Sequence, residues 1–495
     1  MPSRRPLIVV SNREPYLHRR GTDGRIEWAH TPGGVSVALD ALMRERGGVW
    51  VAHGAGDADR DVVDAHDHVQ VPPDNPSYAL RRIWLTEAEE RGYYNGFSNE
   101  GLWPLCHVAH VRPTFRTEDW EAYQEVNRRF ATAAAEEGAK DGPVFINDYH
   151  LALVAGELKK LVPGARTAIF WHIPWPHPDR LRMCPWRREL LSGLLANDLV
   201  AFQLDRDRRN FLTCCRDEFK ARVKAGRVHV DGRDTRVVTA PIGIDFDRLN
   251  EMGEDPAIEG EIARLRKDLD LTFPLVGVGV DRLDYTKGIP ERLSAIDRLL
   301  ERRPEFARSL TFVQIGVQSR SKLDSYQDIE RQIDEQVAAI NGKYRARRGD
   351  EGPIRYRKIN MKVRRLVALF RLANFCIVSS LHDGMNLVAK EFVAARSDND
   401  GVLVLSELAG AAQELGDAVL INPYDIDGFA ARLEEAIDMP EAERRKRMQN
   451  MRRAVAGRDV FAWASDILDG LEDDGGRRRF LPCGRGSRGL RRLRR

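Results

Sequence analysis

The chain has 495 residues, which at roughly 150 residues per domain predicts two or three domains. Its 78 Lys and Arg and 75 Asp and Glu residues give a net charge of +3, but nine Arg and no acidic residue lie in 477–495. Residues 1–476 therefore carry 69 basic and 75 acidic side chains, a net charge of −6. Nucleic-acid binding needs a basic face, so we predict no nucleic-acid partner for this body.

Cysteine usage and the lengths of the apolar runs predict a cytoplasmic protein that does not enter a membrane. The six cysteines are scattered and form no Cys-x-x-Cys pair, which argues against a disulfide framework and against structural zinc. The first apolar run, Leu7–Val10, is too short for a signal peptide, and no run reaches the roughly 20 residues that span a bilayer.

A repeated pattern of short apolar run, loop and helical period predicts βαβ units and therefore an α/β fold. The runs are apolar throughout rather than alternating, as expected for parallel strands that are covered on both faces. The predicted strands are Leu7–Val10, Pro143–Asn147, Thr167–Trp171, Leu199–Phe202, Leu275–Val280, Leu310–Ile315, Phe375–Ser380 and Val402–Leu405.

The strand pattern is interrupted at 236–245, where a Pro-Ile-Gly turn suits a crossover between two α/β domains. We therefore predict one domain over 1–240 and a second over 241–455. The Gly/Arg-rich tail at 473–495 has too few apolar residues to form a core, and we predict that it is disordered.

Polar residues just after the predicted strands are the candidate ligands, because open α/β sheets bind ligands at the carboxyl ends of their strands. The strongest segment is 379–391, in which Gly384 permits a turn before a helix. The free N–H groups of 384–387 and the helix dipole would form an anion site suited to a diphosphate. Asp383 is placed to accept sugar hydroxyls, and Glu391 lies one turn further along the helix. The alternative is a capping aspartate and a solvated glutamate.

Two cations follow the predicted strand at 275–280, in the segment VDRLDYTKG. Arg282 offers a bidentate contact and Lys287 a compact charge, so the pair is suited to neutralise a departing diphosphate. The alternative is a surface loop in which Arg282 pairs with Asp284.

A second candidate anion site lies on the N-terminal side. Arg13 follows the first strand, and Gly33–Gly34 precede a helix whose first N–H groups can bind an anion. Arg320 follows another strand and would be a further phosphate ligand, with an ordinary surface arginine as the alternative. Asp148 and His172 also follow strands, and this shared placement favours a functional over a structural role.

Aromatic and amide side chains cluster in the segment 93–104, which contains Tyr94 and Trp103. Sugar sites use such groups for stacking and for hydrogen bonds to hydroxyls. Aromatic residues at this density are more often part of a core, so both interpretations stay open.

Taken in order, these segments resemble glycosyltransferase family 20, the trehalose-6-phosphate synthase family, over about 7–470. The resemblance implies an α/β GT-B fold, with two Rossmann-like doubly wound parallel-sheet domains facing a central cleft. The N-terminal domain would bind the acceptor and 241–455 the nucleotide sugar, while a helix over 456–472 would pack back on the N-terminal domain. The matching blocks are VVSNR, PGGVSVAL, YYNGFSN, LWP, NDYHL, HIPWP, PIGID, DRLDYTKG, SYQ, INGKY and DGMNLVAKE.

The resemblance implies a retaining glucosyltransferase that moves glucose from UDP-glucose or GDP-glucose to glucose 6-phosphate, giving α,α-trehalose 6-phosphate without metal or cofactor. In this family the acceptor hydroxyl is proposed to pass its proton to the departing phosphate, so the enzyme supplies positioning and charge stabilisation. Two alternatives remain: another phosphorylated acceptor, such as glycerol 3-phosphate or a cyclitol phosphate, and a catalytically silent regulatory homologue. A homo-oligomer is also left open.

Site residues follow from the resemblance position by position. Catalytic roles fall on Asp148, His172, Arg282, Lys287 and Asp383. The donor would be bound by Gly34, Trp50, His172, Arg282, Lys287, Asp383, Gly384, Met385, Asn386, Leu387 and Glu391. The acceptor would be bound by Arg13, Tyr94, Trp103, Asp148 and Arg320.

Two positions depart from the family pattern. His382 stands where the family commonly has Arg, so a charge near the diphosphate is lost or becomes dependent on pH. Met361 stands where an aromatic can occur in the base-binding segment 358–364, which leaves the choice between uracil and guanine open.

Overall fold

The structure is a computed structural model that describes residues 6–31, 34–108, 111–320, 323–345 and 351–472. Gly33 and the tail at 473–495, which we predict to be disordered, lie outside the described residues. Within these ranges, no helix combines the length and the apolar character needed to cross a membrane. The five cysteines in the same ranges are buried and free.

The first half of the chain builds a ten-stranded sheet and a separate two-stranded hairpin within the described residues. The hairpin consists of β2 and β3, and the other strands belong to the sheet. The strands are β1 (Leu7–Arg13), β2 (Tyr16–Arg20), β3 (Ile26–His30), β4 (Gly48–His53), β5 (His68–Val71), β6 (Tyr78–Ile83), β7 (Val144–Asn147), β8 (Thr167–Trp171), β9 (Leu199–Phe202), β10 (Arg222–Lys224), β11 (Arg227–Val230) and β12 (Arg233–Thr239).

The large sheet has the order β10-β11-β12-β9-β8-β7-β1-β4-β6-β5. Its central strands, from β12 to β6, run parallel, and antiparallel strands complete both edges. The chain order reverses between β1 and β7. In open α/β sheets this reversal creates a crevice outside the carboxyl ends of the two strands, so a ligand site is expected after β1 and β7.

The second half of the chain builds a six-stranded sheet within the described residues, with the order β15-β14-β13-β16-β17-β18. All of its pairings are parallel, and the order reverses between β13 and β16. A second crevice is therefore expected after these two strands. The strands are β13 (Leu275–Arg282), β14 (Leu310–Val317), β15 (Ile354–Lys358), β16 (Phe375–Val378), β17 (Val402–Ser406) and β18 (Val419–Ile421).

Helices cover both sheets, and the last of them, α17, packs on α1 and against β8 and β9 of the first sheet. A π-helix, Glu90–Leu102, leads directly into α3. The helices are α1 (Gly34–Arg46), α2 (Glu87–Glu89), α3 (Trp103–His107), α4 (Thr117–Glu136), α5 (Val154–Leu161), α6 (Pro178–Leu181), α7 (Arg187–Leu194), α8 (Asp205–Phe219), α9 (Phe246–Glu254), α10 (Ile258–Asp268), α11 (Ile289–Arg302), α12 (Asp324–Tyr344), α13 (Val363–Leu372), α14 (Leu387–Ala395), α15 (Ile426–Asp438), α16 (Glu441–Ala456) and α17 (Val460–Glu472).

Every predicted strand is present, with ends that differ by at most three residues. Strands β7, β8 and β9 are buried along their whole length, as the absence of alternation predicts. One expectation needs correction. The segment 236–245 begins inside β12, because Val237 and Val238 pair with β9, and the strand pattern stops only after Thr239.

Candidate active site

Two cations from different sheets lie beside neighbouring tyrosine hydroxyls. Arg13 ends β1 and donates to Tyr94 Oη at 3.4 Å, while Arg320, which follows β14, donates to Tyr149 Oη at 3.1 Å. Burial would raise the pKa of Tyr94, but Arg320 and Arg13 lower it to about 8. The Arg320 guanidinium also lies 4.0 Å from the centre of the Trp103 ring. These groups form a positively charged pocket wall with hydroxyl donors.

The buried carboxylate of Asp284 is the counter-charge for both arginines of the second sheet. Its Oδ2 lies 3.8 Å from Arg282 Nη2 and 3.6 Å from Arg320 Nη1, and it accepts from Tyr326 Oη at 3.3 Å. Burial alone would raise the pKa of Asp284, yet the two arginines keep it below its ordinary value. The alternative of a surface Arg282–Asp284 pair is right about the pairing and wrong about the surface, because Asp284 is buried and also lies near Arg320.

On the donor side, Lys287 and Asp383 form a buried ion pair. Lys287 Nζ donates to Asp383 Oδ2 at 2.5 Å, and Ser380 Oγ and Asn386 Nδ2 donate to the same oxygen at 3.2 and 3.3 Å. Burial would raise the pKa of Asp383, but the charge and hydrogen bond of Lys287 bring it below its usual range. The carboxylate is thus ionised, and these three contacts all fall on Oδ2.

The loop before α14 brings the second domain against the first. A Cβ on Gly384 would lie 2.5 Å from the carbonyl oxygen of His172, so only glycine permits this approach. Asn386 has a φ of 76° and caps the helix that begins at Leu387, its Oδ1 accepting from the N–H of Ala389 at 3.3 Å. The helix N-terminus therefore faces the cleft beside His172.

Glu391 is a partly buried carboxylate that forms no hydrogen bond or ion pair with any described residue. Burial raises its pKa to about 7. A carboxylate in this state is stabilised by hydroxyl donors, because they replace the water that burial removes.

Asp148 and His172 follow the neighbouring strands β7 and β8 and are directly linked. Asp148 Oδ1 accepts from the N–H of Tyr149 at 2.8 Å and from the N–H of His172 at 3.2 Å. Burial raises the pKa of Asp148 to about 6 and lowers that of His172 to about 3, so the imidazole is neutral. His172 Nε2 is buried and has no hydrogen-bond partner among the described residues.

Three of the predicted donor ligands lie at positions in the fold that bear on whether they could contact the donor. Trp50 does not border the cleft: it lies inside β4, is 1% exposed and donates from Nε1 to Ser11 Oγ at 2.7 Å. The end of that strand, His53, lies opposite Arg13 instead. The side chain of Met385 is buried in the core, so only its backbone can meet a ligand. Gly34 is the first residue of α1.

Several side chains at this cleft are absent from the predicted set. Tyr149, His150 and Tyr326 lie beside the predicted acceptor residues, and His150 stacks on Tyr94 with 5.5 Å between ring centres. Both His150 ring nitrogens are buried and form no hydrogen bond in the part of the chain described, and Nδ1 lies 3.9 Å from Asp148 Oδ2. The signal was available, because Tyr149 and His150 follow β7 directly after Asp148.

In the predicted base-binding segment, Met361 packs against the apolar core. Lys358 donates to Glu330 and to Asp334, at 2.7 Å each, so its charge is already compensated. Nothing in these contacts distinguishes uracil from guanine.

Comparisons with known proteins agree with this architecture. A family model described as glycosyltransferase family 20 matches residues 5–473. A Mycobacterium marinum protein named trehalose-6-phosphate synthase is 40% identical over 476 residues, covering 94% of each chain. A solved structure titled trehalose-6-phosphate from E. coli bound with UDP-2-fluoro glucose has a TM-score of 0.84 at 33% identity, covering 94% of this chain and 99% of that one.

A further solved structure is a UDP-forming α,α-trehalose-phosphate synthase from Burkholderia xenovorans in complex with glucose-6-phosphate. Its TM-score is 0.84 at 34% identity, and the match covers 94% of this chain and 100% of that chain. The two doubly wound domains and their shared cleft thus define a glycosyltransferase of the GT-B class, as predicted. The chain belongs to glycosyltransferase family 20.

Proposed function

We propose that this enzyme is a retaining glucosyltransferase that moves glucose from UDP-glucose to glucose 6-phosphate and forms α,α-trehalose 6-phosphate. The names of its relatives and the ligands in their structures support the proposal. The observation that carries it in this chain is the convergence of Arg13 and Arg320 on Tyr94 from two different sheets. GDP-glucose is the alternative donor.

The acceptor phosphate would be bound between Arg13 and Arg320. A dianion neutralises two guanidinium groups that face the same hydroxyl, and arginine suits phosphate because its donors form a planar fork. Tyr94 and Tyr149 add hydroxyl donors, and the Trp103 ring supports Arg320. A neutral sugar would leave Arg13 with only the Tyr94 hydroxyl among the described residues and Arg320 with only its share of the Asp284 charge, so the arrangement favours a phosphorylated acceptor.

The donor would lie across the carboxyl ends of β13 and β16. Arg282 and Lys287 supply the positive charge for the diphosphate, and the N–H groups at the start of α14 add the helix dipole. Asp383 would bind glucose hydroxyls, and Glu391, a partly buried carboxylate without a partner among the described residues, would accept both ribose hydroxyls.

The chemistry needs positioning more than an acid–base pair. The bond between C1 of glucose and the diphosphate oxygen breaks, and a bond from C1 to the acceptor hydroxyl oxygen forms on the same face. The hydroxyl proton passes to the departing phosphate oxygen. Arg282 and Lys287 stabilise the negative charge that develops there, while neutral His172 and ionised Asp148 orient the two sugars.

A crossed assay tests the proposal. Purified enzyme is incubated with UDP-glucose or GDP-glucose and with glucose 6-phosphate, glucose or glycerol 3-phosphate, and the product is identified by the anomeric signals in its proton NMR spectrum. We expect a non-reducing α,α-linked disaccharide phosphate from UDP-glucose and glucose 6-phosphate. Transfer to glycerol 3-phosphate at an equal rate, or a β-linked product, would contradict the proposal.

Metal independence is part of the same proposal. In the described ranges, no group of three or more His, Cys, Asp or Glu side chains is placed to hold a metal ion. With Arg282 and Lys287 facing the diphosphate, the rate should persist in excess chelator. A complete loss that Mg²⁺ or Mn²⁺ restores would contradict the role given to these two cations.

A further inference from the structure

One contact joins the two domains beside the donor loop and involves the position that departs from the family pattern. Arg206, in the first turn of α8, lies with Nη2 3.3 Å from Nε2 of His382. His382 directly precedes Asp383, so the contact reaches the loop that carries the proposed donor ligand. No other described residue accepts a hydrogen bond from Arg206.

The N-terminal side of this contact is built into the fold. The carboxylate of Asp207 is buried, lies 3.9 Å from Arg206 Nε and accepts from the N–H of Trp175 at 3.2 Å. Arg206 itself stands in the first turn of a helix, where a cation opposes the helix dipole. The stability of α8 therefore does not explain why residue 206 is an arginine, whereas its contact with His382 outside the helix does.

The other side of the contact is an imidazole in its neutral form. Burial, together with the charges of Arg206 and Arg180, lowers the pKa of His382 to about 4, while a hydrogen bond with the backbone of His107 and the charge of Asp383 oppose this shift. Neutral His382 can accept through Nε2 from Arg206 when its proton lies on Nδ1. Its ring also meets that of His107 edge to face, with 6.4 Å between centres.

Close contacts hold the loop on both sides of His382, so the contact between His382 and Arg206 determines where the middle of the loop lies. Leu381 donates its N–H to Thr286 at 2.8 Å, beside Lys287, and Gly384 abuts the carbonyl of His172. Between Leu381 and Gly384, the side chain of His382 extends to the N-terminal domain and contacts α8.

We propose that Arg206 and His382 form an interdomain positioning pair, which holds the loop carrying Asp383 against the N-terminal domain. The pair acts through Asp383 and the start of α14 and does not touch the substrate. In this chain the cation lies on the N-terminal domain, and a histidine of the second domain accepts its hydrogen bond. The kinetic test of this pair rests on the proposed function, whereas hydrogen exchange in the loop does not.

The kinetic test compares kcat and the KM for UDP-glucose in matched variants. Arg206→Gln should lower kcat by about 10- to 100-fold and change KM much less. A small displacement of the reacting groups strongly lowers the rate of the chemical step. His382→Gln retains an acceptor for Arg206 and should stay within about threefold of wild type. The control is Arg209→Gln, an exposed residue of the same helix that pairs with Asp205, and should not change kcat.

Exchanging the residues' charges between positions 206 and 382 tests the pair, because activity should be rescued. His382→Arg places two guanidinium groups together and should lose activity. The double variant, Arg206→Gln with His382→Arg, moves the cation to the other domain. Its kcat should be at least about tenfold higher than that of His382→Arg alone. A double variant no better than His382→Arg, or Arg206→Gln within twofold of the Arg209→Gln control, would overturn the pair.

Hydrogen exchange of residues 381–386 in the free enzyme supplies the readout that needs no substrate. Arg206→Gln should speed exchange in this loop, and Arg209→Gln should not. If wild type forms no trehalose 6-phosphate while the loop still responds, the proposed function fails and the positioning pair stands. Unchanged exchange in Arg206→Gln would overturn the pair whatever the activity.

Discussion

Replacing the two donor-side cations separately should distinguish their roles, because the structure places them differently. Arg282 is about one-third exposed and Lys287 is buried in an ion pair with Asp383. Both should stabilise the charge of the departing diphosphate, so Arg282→Ala and Lys287→Ala should each lower kcat by about 100- to 1,000-fold, or about 3 to 4 kcal/mol.

The lysine variant should also lower the free energy of unfolding, and by more than the arginine variant. Removing one partner of a buried ion pair costs about 3–5 kcal/mol, and we expect the lower figure because Ser380 and Asn386 still donate to Asp383. Arg282→Ala should cost less, about 1 kcal/mol, because Arg282 is about one-third exposed and Asp284 keeps Arg320 and Tyr326 as partners. From the sequence alone both cations are loop residues of little consequence for stability, and burial of Lys287 corrects that expectation.

Initial rates with UDP-glucose and glucose 6-phosphate give kcat, and urea denaturation gives the free energy of unfolding. Lys160→Ala is the matched control, because this exposed lysine pairs with Glu157 far from the cleft. It should leave both quantities unchanged. Near-normal kcat in both cleft variants, or an equal loss of stability in both, would refute the reasoning.

Three further results are expected. Arg82→Leu should cost about 3–5 kcal/mol in urea denaturation, because Arg82 is inaccessible and binds Glu14 at 2.7 Å and Asp59 at 2.8 Å; a loss below 1 kcal/mol would contradict this. The carboxyl NMR signal that disappears in Asp148→Asn should titrate near pH 6, since burial raises this pKa, so the group is ionised above pH 6 and protonated below it; a midpoint near 4 would show an exposed carboxyl. Truncation after residue 476 should leave kcat and KM unchanged, and a large rise in KM would show that 477–495 reach the cleft.

The ends of the buried strands explain why much of the site is readable from sequence. Arg13 and Asp148 follow β1 and β7, and Arg282 and Ser380 follow β13 and β16, which are the two pairs at which strand order reverses. An apolar run followed by a polar residue marks these positions without any knowledge of tertiary contacts.

Contacts between distant segments could not be read in this way. Asp284 as a shared counter-charge, and the pairing of Lys287 with Asp383, depend on side chains brought together by two different loops. Trp50 was assigned from the resemblance alone, whereas alternation along β4 turns its ring into the core.

The π-helix was equally invisible. Its segment reads as a cluster of aromatic and amide groups, and Tyr94 projects from it while Trp103 begins the helix that follows. Extra residues per turn change which side chains share a face, so a 3.6-residue period fails there.

The most direct test of the central claim is the ratio of kcat/KM for glucose 6-phosphate to that for glucose, with UDP-glucose as donor. Two cations beside Tyr94 from opposite domains predict a wild-type ratio of about 1,000 or more, because glucose would leave Arg13 without an anionic partner among the described residues and Arg320 with only its share of the Asp284 charge. Arg13→Ala should shrink the ratio more than it raises the KM for UDP-glucose. A wild-type ratio near one, or a higher efficiency with glycerol 3-phosphate, would contradict a glucose 6-phosphate acceptor.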